Sequence, residues 1–145
     1  MKELSQIFEI IVFTASHSCY GDQVLNWLDP QREYIHHRLF RESCVQTEEG
    51  LYIKDLRVIA NRDLSQTVLV DNAAYSFGFQ IENGIPIIPF YENKNDKELL
   101  HLTNYLKYLE GVEDVREINK QTFNLLQFRS CETPTQLIEK LRSDF

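Results

Sequence analysis

Phe8-Glu9-Ile10-Ile11-Val12-Phe13-Thr14-Ala15-Ser16-His17-Ser18 is the stretch on which the reading of this chain turns. Its first half is a nearly continuous apolar run, β-branched and aromatic, as expected of a parallel strand buried on both faces. The run stops abruptly in small polar residues that offer helix N-caps. Val24, Leu25 and Leu28 then stand at helical spacing until Asp29-Pro30 ends the helix. Strand, loop and helix make one step of an α/β fold.

Upstream, Met1 to Glu9 reads as the end of an amphipathic helix running straight into this strand; it has no apolar core followed by a cleavage site. Downstream, His37 to Arg41 reads as a short second strand. Cys44-Val45-Gln46 and Leu51-Tyr52-Ile53 flank Glu48-Glu49-Gly50 as a hairpin. Asp55 to Asp63 suits a short helical turn. Thr67-Val68-Leu69-Val70-Asp71 is another buried strand with an acid at its C-terminal end, and Asn83-Gly84 turns into the run Ile85-Pro86-Ile87-Ile88. Asp96 caps a helix with Leu99, Leu102, Leu106 and Leu109 along one side as core. A further helix is expected over 112–126, and Thr133-Pro134 opens a last one to about Arg142. The alternation predicts an α/β three-layer sandwich around a mostly parallel central sheet. In that class ligands gather beyond the carboxyl ends of the strands, which directs attention to Thr14 and to Asp71-Asn72.

Bulk properties narrow the partners. The 145 residues are 43% hydrophobic and 26% charged, ordinary for a globular domain with one core. No apolar run approaches the roughly 18 residues of a membrane span. A net charge of −7 and scattered basic residues argue against direct nucleic-acid binding. Cys19, Cys44 and Cys131 are odd in number and far apart, so neither a disulfide framework nor a zinc site is indicated. Cys19 and Cys44 are expected as small buried or half-buried side chains. His36 and His37, as strand neighbours, would face opposite ways and share no metal.

Taken singly, the candidate site residues have ordinary explanations: Arg41 and Lys54 as solvated strand-end charges, Thr14 as a helix cap, Asp71-Asn72 as a turn. Their joint order changes that. Val12-Phe13-Thr14-Ala15-Ser16, Leu39-Phe40-Arg41-Glu42-Ser43-Cys44, Tyr52-Ile53-Lys54-Asp55-Leu56 and Val68-Leu69-Val70-Asp71-Asn72 follow one another as four spaced blocks. In this order they resemble the small C-terminal-domain phosphatases of RNA polymerase II, the NLI-interacting-factor-like group of the haloacid-dehalogenase superfamily. The resemblance runs over roughly the first 115 residues and leaves 116–145 as a helical extension.

The resemblance implies a protein serine/threonine phosphatase that works through an aspartyl phosphate with Mg²⁺, acting on a phosphorylated protein or peptide segment. Thr14 would hydrogen-bond a phosphate oxygen through its hydroxyl and the amides that follow. Lys54 would neutralise the phosphoryl group and the attacking carboxylate, and Arg41 would contact the substrate phosphate. Asn72 would offer its amide oxygen to Mg²⁺, with Asp71 completing the metal site through water. The implied location is nuclear or cytoplasmic, with a mitochondrial alternative. Oligomeric state is left open.

One departure matters most. The family signature is a strand ending in Asp-x-Asp-x-Thr or -Val, whose first Asp is the nucleophile and whose second is the acid/base. No Asp-x-Asp occurs in these 145 residues. The resemblance makes that strand central, between the strands ending at Thr14 and at Asp71, so the chain is expected to be N-terminally truncated and inactive alone. Its unpaired edges would each leave buried groups costing about 1–3 kcal/mol against a total stability of about 5–15 kcal/mol. Three accounts compete: a reading frame begun at an internal methionine, which is favoured; a short pseudophosphatase or binding module, including a role like that of the mitochondrial translocase receptor; and a nucleophile strand supplied by another chain. A receiver-like phospho-acceptor domain fits less well, since it lacks the early acidic pair and gives Arg41-Glu42-Ser43-Cys44 no place. Ala73-Ala74 stand where the family has Ser-Pro, without loss of a metal ligand.

Overall fold

The structure is a computed structural model that describes residues 1–125 together with 136, 139 and 140. The helix expected at 133–142 falls largely outside the described residues. The chain forms two compact units, Met1–Lys54 and Asp55–Phe145.

In the first unit a 3-10 turn at Leu4–Gln6 leads to β1 (Ile11–Phe13), α1 (Ser18–Leu28) and β2 (His37–Leu39). β2 lies parallel to β1, with Ile11 opposite His37 and Phe13 opposite Leu39. The strands are shorter than the apolar run suggested, and Arg41 sits in a 3-10 turn, Arg41–Ser43, instead of on the strand. Asp29 organises the return from helix to strand. Its carboxylate is 1% exposed and accepts the amides of Glu33 at 2.9 Å, Tyr34 at 3.0 Å and Ile35 at 2.9 Å. Burial pushes this carboxyl up, but the three amides and the charge of Arg38 outweigh that and hold it below the usual range. The expected hairpin follows as β3 (Val45–Gln46) paired antiparallel with β4 (Tyr52–Ile53). Its tip needs Gly50, whose φ of 81° lies in the left-handed region that a side chain disfavours.

Gly21 decides how α1 is seated. A Cβ there would come within 2.7 Å of the Phe40 ring, so the helix packs its glycine directly on that ring. Cys19 lies two residues away, about 200° round the helix, and is exposed, contrary to the expectation that it is buried or half-buried.

The second unit contains 3-10 turns at Leu56–Val58 and Leu64–Gln66, then β5 (Leu69–Asp71). Two further 3-10 turns, Ala74–Phe77 and Ile81–Asn83, lead to β6 (Gly84–Pro86), parallel to β5 with Leu69 opposite Gly84. α2 (Glu98–Tyr108) and α3 (Val115–Thr122) follow. The core gathers Leu56, Leu69, Ala74, Phe77 and Leu125, with Ile59, Leu64, Ile81 and Phe123 packed around them. Two asparagines tie the loops down from inside. Asn83 Nδ2 donates to the carbonyls of Leu64 and Thr67, each at 2.7 Å. Asn119 is fully buried, donates to the Glu82 carbonyl at 3.1 Å and accepts from the Tyr105 hydroxyl at 2.7 Å.

The helical stripe needs one correction. Leu106 and Leu109 are core at 7% and 3% exposure, but Leu99 is 68% exposed and, with Leu100 and Phe90, borders an open surface hollow of about 450 Å³. The first turn of α2 projects past the packed interior, so spacing alone misplaced Leu99. Asp96 does serve the helix start, accepting the Glu98 amide at 3.1 Å.

Among the described residues, β1 is hydrogen-bonded only to β2, and β5 only to β6.

Candidate functional site

The sequence-derived candidates fall into two groups, one in each unit. In the first, Thr14 stands immediately after β1, its amide donating to the Leu39 carbonyl at 2.9 Å. Its Oγ1 accepts the Ser16 amide at 3.1 Å. This small turn uses one of the hydroxyl's two lone pairs and leaves its O–H as a donor, the polarity that an anionic oxygen requires. It also occupies the Ser16 amide, so the loop offers fewer amides than the sequence suggested.

Arg41 is bound back onto the same loop. Its backbone amide donates to the Ser16 carbonyl at 3.0 Å and its Nε to the Ala15 carbonyl at 2.6 Å. Its guanidinium meets His17 Nε2 at 2.9 Å and lies 4.9 Å from the centre of the Tyr52 ring. Glu42 stands 3.6 Å from the other imidazole nitrogen. Cys44 Sγ approaches the Thr14 carbonyl at 3.9 Å. The structure thus brings Thr14 and Arg41 to one loop cluster, closed behind by Tyr52 of β4. His17 and Tyr52 belong to this cluster too, and the sequence reading singled out neither. Nothing in spacing announces them, since they stand 35 positions apart in the chain and each is joined to the cluster by its contact with Arg41.

Lys54 follows β4 directly and is half-buried, next to the wholly buried Ile53. The adjacent Asp55 has a separate structural job. Arg57 grips its carboxylate at 2.6 Å and Gln80 donates at 3.0 Å, and these, led by Arg57, hold the carboxyl below its usual range.

The second group is Asp71 and Asn72 at the C-terminal end of β5. Asp71 is 8% exposed and its Oδ1 accepts the Ala73 amide at 2.8 Å, which turns the chain sharply after the strand. Asn72 is exposed. One carboxylate and one amide oxygen at a strand end are hard donors that fit Mg²⁺, an ion that keeps several waters and takes one or two carboxylates. A zinc-like set does not arise: no group of three His, Cys, Asp or Glu able to hold a metal occurs among the described residues.

The fold is α/β, with small parallel strand pairs followed by polar residues. Residues 1–116 match the family of NLI interacting factor-like phosphatases, and the chain belongs to that family. It is 48% identical over 130 residues to CTD small phosphatase-like protein 2 of Dictyostelium discoideum, covering 90% of this chain and 22% of that protein. It is 43% identical over 126 residues to CTD small phosphatase-like protein 3 of Caenorhabditis elegans, covering 86% of this chain and 43% of that one. Mitochondrial import inner membrane translocase subunit TIM50 of Candida albicans is 43% identical over 146 residues, covering 97% of this chain and 30% of its own. The chain spans less than half the length of each of these relatives. Among the described residues no helix is long and apolar enough to cross a membrane.

Proposed function

We propose that this chain is the larger part of a Mg²⁺-dependent protein serine/threonine phosphatase domain, and that these 145 residues do not turn over phosphate on their own. The observation that carries the reading is the set Thr14, Arg41, Lys54, Asp71 and Asn72, present in family order on strand ends and on the loops directly after strands. The relatives named as small phosphatases support it.

In this reading the family's Asp-x-Asp strand completes a three-layer sandwich with a mostly parallel sheet. The first Asp attacks phosphorus, the P–O bond to the seryl or threonyl oxygen breaks, and the second Asp protonates the leaving oxygen. Water then cleaves the aspartyl phosphate. The Thr14 hydroxyl donates to a phosphoryl oxygen, the Lys54 ammonium offsets charge on the phosphoryl group and the attacking carboxylate, and Arg41 binds the substrate phosphate. Asp71 and Asn72 would hold Mg²⁺, which would supply charge to offset that of the phosphoryl group. Residues 1–115 belong to this domain and 116–145 are an extension to it; the family match to residue 116 supports that division. The substrate is a phosphorylated protein segment, met in the nucleus or cytoplasm.

A second reading is favoured by the likeness to the TIM50 subunit: a binding module of the same fold without hydrolysis, with a mitochondrial location. Assay of para-nitrophenyl phosphate hydrolysis separates the two. The expected result is no Mg²⁺-dependent turnover by the 145-residue chain and clear turnover by a longer form carrying Asp-x-Asp upstream. Turnover by the short chain that disappears in Asn72→Ala overturns the inactivity. Absence of turnover in the longer form transfers the protein to the binding reading.

A further inference from the structure

We propose that His17 is the positioning residue for Arg41, holding its guanidinium ready for the substrate phosphate; the purpose, though not the contact, rests on the role proposed for Arg41. A guanidinium only donates, so the 2.9 Å contact from Arg41 requires His17 Nε2 to be the bare, accepting nitrogen. The ring proton must then sit on Nδ1, the nitrogen that faces Glu42 Oε1 at 3.6 Å. Glu42 thereby favours the one tautomer that can accept from Arg41.

The surroundings assign the rest of the orientation. Arg41 Nε is fixed to the Ala15 carbonyl at 2.6 Å, and the Tyr52 ring backs the guanidinium at 4.9 Å. These two contacts fix the plane of the guanidinium, and His17 fixes its rotation within that plane by taking one NH1 hydrogen. The remaining N–H groups of the fork are left for a phosphate, which Arg binds as a planar donor. The charged groups that face His17 are Arg41 and Glu42, both from the turn Arg41–Ser43.

The test uses the 145-residue chain with ¹⁵N-labelled histidine and a short phosphoserine peptide as probe. The ¹⁵N spectrum near pH 7.5 is expected to show His17 as the Nδ1–H tautomer, the minor form of free histidine. In Arg41→Met it should revert to Nε2–H. Peptide affinity should fall by about two- to fivefold in His17→Leu, the scale of an exposed polar contact, and return to the parent value in His17→Gln, whose amide oxygen also accepts. An Nε2–H tautomer in the parent chain, or unchanged affinity in His17→Leu, overturns the proposal while leaving Arg41 as a phosphate contact. A correct tautomer with no peptide binding by the parent chain overturns the role of Arg41, and the positioning role falls with it.

Discussion

Phe77 lies so close against Gly84 that a Cβ on the glycine would penetrate the ring, well inside the 3.0 Å that real Cβ contacts respect. Phe77 is wholly buried and Gly84 opens β6, so this contact sets how the 3-10 turn after β5 folds back onto the sheet that carries Asp71. Gly84→Ala is expected to destabilise the chain by about 1–3 kcal/mol, the usual cost of overpacking. Urea unfolding checks this, and Phe77→Leu in the same chain should restore part of the loss.

Asn119 is itself fully buried and serves two partly buried partners. Asn119→Ala takes one bond from the Glu82 carbonyl and one from the Tyr105 hydroxyl, at about 1–3 kcal/mol where the group is buried. Amide exchange should speed up across α3 and the turn Ile81–Asn83 ahead of global unfolding. Unchanged protection there would show that the asparagine is dispensable.

Acid should loosen the start of α3. Asp114 accepts the Arg116 amide at 3.0 Å and its guanidinium at 2.7 Å, which, led by the Arg116 side chain, hold the carboxyl down at about 2. A carboxyl depressed in the folded state contributes stability that is complete above the unfolded value, about 4. The contribution is lost as pH falls from there through about 2. Asp114→Asn should therefore flatten the stability profile between about pH 4 and pH 2 and leave its shape above pH 5 unchanged, as thermal melts across that range will show.

The two halves of the proposed chemistry fail differently. In a longer form carrying Asp-x-Asp, Asn72→Ala should raise the Mg²⁺ concentration for half-maximal turnover by about 10- to 100-fold. Lys54→Met should lower kcat by about 100-fold with that Mg²⁺ requirement kept. A common Mg²⁺ dependence in both variants would remove the division of labour.

Much of this was legible in the sequence because parallel strands advertise themselves. The runs ending at Phe13 and Asp71 are apolar whichever way their side chains point, so the strand ends, and with them Thr14 and Asn72, could be located without knowing the packing. The hairpin at Gly50 was equally plain, since its tip needs a residue with positive φ. Features made by distant contacts were not legible. The Asp29 carboxylate collects three amides from a loop that carries no motif. Cys19 faces outward because Gly21, not its neighbours, meets Phe40. Leu99 continues a helical stripe whose interior has already ended. His17 joins Arg41 across 24 positions, and no periodicity links them.

The outward turn of Leu99 and Leu100 beside Phe90 has a colloidal consequence. These side chains are 63–68% exposed on a chain with a formal charge of −7, and like net charge repels one copy from another. Salt shortens the reach of that repulsion to about 3 Å at 1 M without weakening attraction between oily surfaces. Handling should accordingly favour low ionic strength and a pH well above the isoelectric point near 5.1, where precipitation is first expected.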